Sequence, residues 1–206
     1  MNKLFIKKLS FINIETFNFS MILSDRDIKR YIKEKKLIIK PKLKPEQIQP
    51  AWIDLTLGNE FMVFKRTEVP YIDPKNPKDY AEKIRVKNNK PFILHPYEFV
   101  LGTVREYIKF PSDLAGAVDG RSSLGRLGIL THITSTFINP GWEGRLVLEI
   151  NNIGKMPVAL YPGMRVCKVV FFKLSSPCEV PYYAREDAKY KDQKTVEPSK
   201  LEKEFK

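Results

Sequence analysis

Histidine and cysteine are scarce in this chain of 206 residues: it holds two of each, His95, His132, Cys167 and Cys178. Two cysteines are too few for a disulfide-built scaffold, and they have no metal-like spacing, so a reducing, cytoplasmic setting is expected. Neither histidine heads an H-x-E paired with P-C-x-x-C, which argues against a zinc-dependent base-modifying site. No G-x-G-x-x-G follows a strand-like run and no serine sits at a nucleophile elbow, which leaves dinucleotide and elbow-hydrolase readings without support. Apolar runs of the roughly 18 residues needed to span a membrane are also missing, so no membrane partner is expected.

What the chain does carry is apolar bulk and positive charge. Hydrophobic residues make up 43% and aromatics 12% of it, enough apolar area for a buried core, and the length suits one sizeable domain. The net charge of +12 raises the question of a phosphate-bearing partner. Its lysines are scattered, with modest clusters at 33–44 and 189–206, and no nucleic-acid motif accompanies them. The reading is a solvated basic surface with part of the charge focused on a small polyanion, and no nucleic-acid partner.

Ser24 precedes apolar residues at Ile28, Tyr31 and Ile32, spaced i, i+3, i+4, with Asp27 placed for a capping contact. This predicts an amphipathic helix over 25–36. From there the pattern turns to short β-like runs broken by Pro, Gly, Asn and Asp: "AWIDLTLGNEFMVF", "KPFILHP", "EFVLGTVREYIKFP", "GILTHIT", "RLVLEINNI" and "MPVALYPGMRVCKVVFFKL". Many short strands between turn signals predict an all-β sandwich or closed barrel with one N-terminal helix and short helical pieces. Residues 1–20 read as an N-terminal extension or an over-called start, with Met21 opening the domain. The body runs over 21–174, and the polar, lysine-rich tail over 175–206 offers no core strand.

Three stretches carry chemistry. In "RLVLEINNI", strand alternation sets Arg145, Val147 and Glu149 on one face against Leu146, Leu148 and Ile150. Glu149 is an ordinary surface carboxylate if that face meets solvent, and a proton shuttle if it meets a pocket. The turn "INPGWEG" joins two β-like runs and either displays Trp142 or packs it. The run "GRSSLGRLG", Gly120 to Gly128, resembles a phosphate-binding P-loop but replaces its lysine with Arg126 and its hydroxyl with Leu127. It still supplies Arg121, Ser122, Ser123 and Arg126 among glycines: forked cations and hydroxyls suited to phosphate oxygens, or else a turn making surface ion pairs.

Read together, "GRSSLGRLGILTHITSTFINPGWEGRLVLEINNIGKMPVALYPGMRV" closely resembles the dCTP deaminase family of the dUTPase-like nucleotide hydrolases. The likeness extends from "MILSDRDI" to "PYYAREDAKYKDQKT", over nearly all of residues 21–195. It implies a distorted jelly-roll β-barrel, a homotrimer with active sites between subunits, and deamination of dCTP to dUTP and ammonia without zinc. Glu149 is the implied general base and acid, with Ser122 and Arg126 positioning water and base and Ser135 completing the water site. Nucleotide contacts are implied for Arg121, Ser122, Ser123, Leu124, Gly125, Arg126, Asn139, Val147, Leu148 and Glu149. Tyr182, Lys189 and Gln193 join them from a tail that folds over the nucleotide. Mg²⁺ would arrive on the triphosphate with no metal ligand from the protein, and feedback by dTTP is left open.

Departures from the family pattern are local. Asn139 stands where the family has the aspartate that reads the sugar 3′-hydroxyl, "T-S" at Thr134 and Ser135 replaces "T-A", and Val166-Cys167-Lys168 replaces "I-G-Q". Phe137 stands where some deaminases carry an arginine. Two further readings stay open beside simple deamination: a bifunctional enzyme releasing dUMP and diphosphate, and a nucleotide-binding relative without turnover.

Overall fold

A computed structural model describes residues 22–65, 70–77, 80–87 and 89–205; the extension expected over 1–20 lies outside the described residues. Helix α1 spans Asp25–Lys33, with the Ser24 side chain accepting from the Asp27 N–H at 3.4 Å and its hydroxyl meeting the Asp27 carboxylate at 3.2 Å. It ends before residue 36, the predicted limit. Lys35 adopts a left-handed φ of 57°, and the N–H groups of Lys36 and Leu37 both turn back onto the Tyr31 carbonyl, which satisfies the last turn early.

Among the described residues twelve strands follow: β1 Ile38–Lys40, β2 Ile48–Gln49, β3 Trp52–Phe64, β4 Ala81–Arg85, β5 Phe92–Leu94, β6 Phe99–Lys109, β7 Leu114–Gly120, β8 Ile129–Leu130, β9 Phe137–Ile138, β10 Glu143–Asn152, β11 Val158–Leu160 and β12 Arg165–Lys173. A helical turn, α2, covers Ser122–Gly125. The strands pair in the order β8-β10-β6-β3-β12-β7-β9, with β1, β2 and β4 added at the flanks and β5 and β11 forming a separate pair. The sheet curls into an open half-barrel, the all-β jelly-roll-like architecture that the strand pattern and the resemblance predict. No helix among the described residues is long and apolar enough to cross a membrane.

Strand β3 ties the curl together by changing partners along its length. Residues 53–56 pair with β12, and 57–63 with β6, with a register irregularity between Leu57 and Phe61. Gly58 sits at that change, where a Cβ would come within 2.6 Å of Thr103 Oγ1, so the close approach requires the missing side chain. Inward residues of the long strands, among them Leu55, Leu57, Phe61, Val100, Val104, Ile108, Ile150, Val169 and Phe171, form one fully buried core. Burial of that order contributes roughly 1.5–3 kcal/mol per large side chain before entropy is counted.

Two expectations change. "GILTHIT" yields only the two-residue β8, because the following residues leave the sheet as a loop. Strand β7, "LAGAVDG", has no hydrophobic run to announce it, yet Leu114, Gly116 and Val118 alternate inward and the strand pairs with β12 over seven residues.

The tail makes no strand but is seated on the body. Gln193 forms an isolated parallel bridge with Gly144, its carbonyl accepts from the Arg145 N–H at 2.7 Å, and Val196 is fully buried. Gly144 has φ +148°, and a Cβ there would lie 2.8 Å from the Gln193 carbonyl oxygen. Gly144→Ala is therefore expected to cost about 1–3 kcal/mol and to unseat the tail. Faster tryptic cleavage at Lys191 and Lys194 beside a lowered melting temperature would be the observed result; wild-type cleavage rates would contradict it.

Candidate active site

The site is built on β10. Ile150 points into the core and Leu148, also buried, reaches the wall of a cleft of about 540 Å³ that Val147 and Glu149, half-buried, border. Arg145 leaves the face predicted for it. The register against β6 is irregular between Arg145 and Val147, so Arg145 is exposed and does not line the cleft.

Glu149 is held rather than loose. The Thr134 N–H donates to its Oε2 at 2.9 Å, and the Thr134 hydroxyl lies 3.2 Å from the same oxygen. Both anchors converge on one oxygen, which leaves Oε1 the less engaged, with only a 3.4 Å approach from that hydroxyl. The loop supplying Thr134 is braced by His132, whose Nε2 lies 3.2 Å from Thr136 Oγ1. Ser135, next in the chain, has a left-handed φ of 57°. A serine is sparsely populated in that conformation, and this one lies at the rim of the cleft, next in the chain to the group that holds the carboxylate.

Seven of the sequence-predicted residues line this cleft: Ser135, Asn139, Val147, Leu148, Glu149, Tyr182 and Gln193. Asn139 stands exposed at its edge, its carbonyl accepting from the Trp142 N–H in the turn. Trp142 is packed rather than displayed, 7% exposed, and contributes to the cleft wall.

The remaining seven do not line it. Arg121, Ser122, Ser123, Gly125 and Arg126 form the outward surface of α2 and its cap, and the Leu124 side chain is turned into the core. Lys189 pairs with Glu204 of the terminal turn, and that hydrogen bond raises the pKa of its ammonium. The run around α2 and the cleft around Glu149 are therefore separate surfaces of one chain.

Some cleft residues carried no sequence signal. Phe64, Tyr80 and Phe99 build an aromatic wall, with ring centroids 5.7 Å apart for Phe64 and Tyr80 and 5.1 Å for Phe64 and Phe99. They sit at or just outside strand ends, where alternation has no further residues to establish a face. Thr134 was legible only as part of a departure from the family pattern, yet it is the group that fixes Glu149. Glu197, Pro198 and Ser199 extend the lining beyond residue 195.

The Val166-Cys167-Lys168 stretch has a structural account. Cys167 is fully buried, and burial pushes its thiol well above the ordinary range, with the carboxylates of Glu106, Asp54 and Asp119 adding to the effect. It is a core residue and not a nucleophile. Lys168 meets Asp119 at 2.8 Å, a hydrogen bond that lowers the Asp119 pKa, and lies over the Trp52 ring.

The sequence model of a family described as dCTP deaminase-like matches residues 22–174. A protein named "dCTP deaminase, dUMP-forming" from Dictyoglomus turgidum is 53% identical over 188 residues, covering 90% of this chain and 97% of that protein. One with the same name from Methanobrevibacter smithii is 48% identical, covering 89% and 97%. A "dCTP deaminase" from Thermomicrobium roseum is 45% identical, covering 90% and 96%. Among solved structures, the 2′-deoxycytidine 5′-triphosphate deaminase from Agrobacterium tumefaciens superposes with a TM-score of 0.60 at 23% identity, over 74% of this chain and 48% of that one, about half its length.

Proposed function

This chain belongs to the dCTP deaminase-like family, and on that premise we propose that it converts dCTP to ammonia, dUMP and diphosphate. The observation that carries the deaminase reading is Glu149: a carboxylate at the edge of a cleft, anchored through one oxygen by Thr134. The product reading departs from the simple dUTP-forming reaction first expected. Relatives at 48–53% identity carry the words "dUMP-forming", whereas those named only "dCTP deaminase" stand at 44–45%.

Deamination requires a water oxygen to bond to C4 of the cytosine. Glu149 accepts one proton of that water and passes it to ring N3. The remaining hydroxyl proton then moves through Glu149 to the exocyclic amine, which leaves as ammonia while the C4 carbonyl forms. A second water then divides dUTP between its α and β phosphorus atoms to give dUMP and diphosphate.

Arg121, Ser122, Ser123 and Arg126 lie on a surface of their own. Their place outside the cleft of their own chain is what a site shared between subunits needs, with this run reaching a neighbour's cleft; the assembly proposed is the homotrimer that the resemblance implies. Lys189 and the tail residues Tyr182 and Gln193 would close over the nucleotide. Mg²⁺ would arrive as a companion of the triphosphate. Bound to phosphate oxygens, it would offset their charge.

Ammonia release separates turnover from binding alone. Purified protein with dCTP and Mg²⁺ is expected to release one ammonia per dCTP consumed. Saturable dCTP binding without ammonia would favour the nucleotide-binding relative that does not turn over.

A further inference from the structure

Asp54 has almost no contact with water, at 2% exposure. It lies on β3 opposite Lys168 of β12. A carboxylate so placed must be matched by opposite charge and hydrogen bonds. Its Oδ2 accepts from Arg165 Nη1 at 3.0 Å, with Arg121 Nη2 at 3.7 Å from the same oxygen, and its Oδ1 accepts from Trp52 Nε1 at 3.2 Å. The guanidiniums are also tied to backbone: Arg165 Nη1 donates to the Glu46 carbonyl at 3.0 Å, and Arg121 Nη1 to the Arg165 carbonyl at 3.3 Å.

Two cations sharing one buried anion leave a net positive charge, and neither is spent by the arrangement. The Arg121 and Arg165 side chains keep 27% and 36% exposure. Each guanidinium carries five N–H donors, of which the contacts above occupy a part. Arg121 is followed in the chain by the exposed hydroxyl residues Ser122 and Ser123.

We propose that Asp54 is a positioning residue for the nucleotide's phosphate chain, holding Arg121 and Arg165 as a two-armed clamp in which Arg165 is a second phosphate-binding guanidinium. This rests on the reading of residues 121–126 as the phosphate-contacting run. A long, flexible arginine fixed before the ligand arrives loses less freedom on binding, and two forks set at one angle match successive phosphate groups. Replacing Asp54 with asparagine preserves shape but removes the charge that keeps the two arginines together.

Glu106 supplies the control. It is equally buried at 2% exposure, on β6, and accepts from Gln47 Nε2 and the Thr56 N–H, both at 2.9 Å. Its hydrogen-bond partners include neither arginine. Binding of inorganic tripolyphosphate to the full-length protein would be measured by calorimetry for wild type, Asp54→Asn, Arg165→Gln and Glu106→Gln, with a melting curve for each.

Asp54→Asn and Arg165→Gln are expected to weaken tripolyphosphate binding by about tenfold or more. They should raise KM for dCTP to match while leaving kcat within about threefold. Glu106→Gln should lower the melting temperature yet leave tripolyphosphate affinity at the wild-type value. Wild-type affinity in Asp54→Asn or in Arg165→Gln, an equal loss in Glu106→Gln, or no tripolyphosphate binding by wild type would each overturn the clamp. Should Asp54→Asn fail to fold, Arg165→Gln alone decides. An Asp54-dependent tripolyphosphate site in a protein that releases no ammonia would instead leave the clamp standing and sink the deaminase reading.

Discussion

Glu149→Gln is expected to lower kcat for ammonia release from dCTP by about 10²–10⁴-fold, the usual cost of removing a general acid and base. The substitution is nearly isosteric. The glutamine side-chain oxygen can still accept from the Thr134 N–H, which now reaches Glu149 Oε2 at 2.9 Å, so the side chain should keep its place at the edge of the cleft. What disappears is the capacity to take a proton from water and return it to nitrogen. Because Glu149 is half-buried and its anchors are the neutral groups of Thr134, the fold should lose little, and the melting temperature should stay close to wild type. Calorimetric titration with dCTP and an ammonia assay on the same preparation separate the effects. Binding preserved with turnover lost is the predicted pair; binding lost in proportion to turnover would make Glu149 a contact residue and not the proton carrier.

Mixing two inactive variants should restore activity. Arg126→Ala is expected to cost about 10²-fold by removing a fixed cation from the reaction centre, although Arg126 is exposed and does not line the cleft of its own chain. If the run around α2 serves a neighbour's cleft, a trimer that mixes Glu149→Gln and Arg126→Ala subunits contains some sites with both residues intact. Random mixing of equal amounts gives about a quarter of all sites intact, and in a trimer holding both variants about one site in three is intact, since each intact site needs two subunits of the right kind. Co-expression with two different tags, followed by tandem purification, yields the mixed species. Activity far above the sum of the two parents is the expected result. Activity equal to that sum would mean that each chain builds its site alone, and would remove the reason for a shared one.

How much of this was visible in the sequence depends on the kind of signal. Period-two alternation in β10 made Val147 and Glu149 legible as one face, and the long strands β3, β6 and β12 carry enough branched and aromatic residues to read directly. Alternation failed at Arg145, where an irregular register breaks the period, and at β7, where alanine and glycine hide an inward face that only neighbouring strands reveal. The α2 run is legible by composition, as hydroxyls and arginines among glycines, but composition says nothing of which cleft it serves. The anchor of Glu149 was hidden for another reason: Thr134 lies 15 residues away along the chain, and a contact across a loop has no period. Asp54 was similarly silent, since a lone aspartate in an apolar strand shows its meaning only when Arg121 and Arg165 converge on it.

The most direct test of the account is the fate of the nucleotide. Purified protein would be incubated with dCTP and Mg²⁺, and the nucleotides resolved over time by ion-exchange chromatography. dUMP and diphosphate are expected to rise together as dCTP falls, and both to form about 10²-fold or more slowly in a Glu149→Gln preparation. Accumulation of dUTP as the final product would contradict the dUMP-forming reading, and dCTP left unchanged would contradict the enzyme itself.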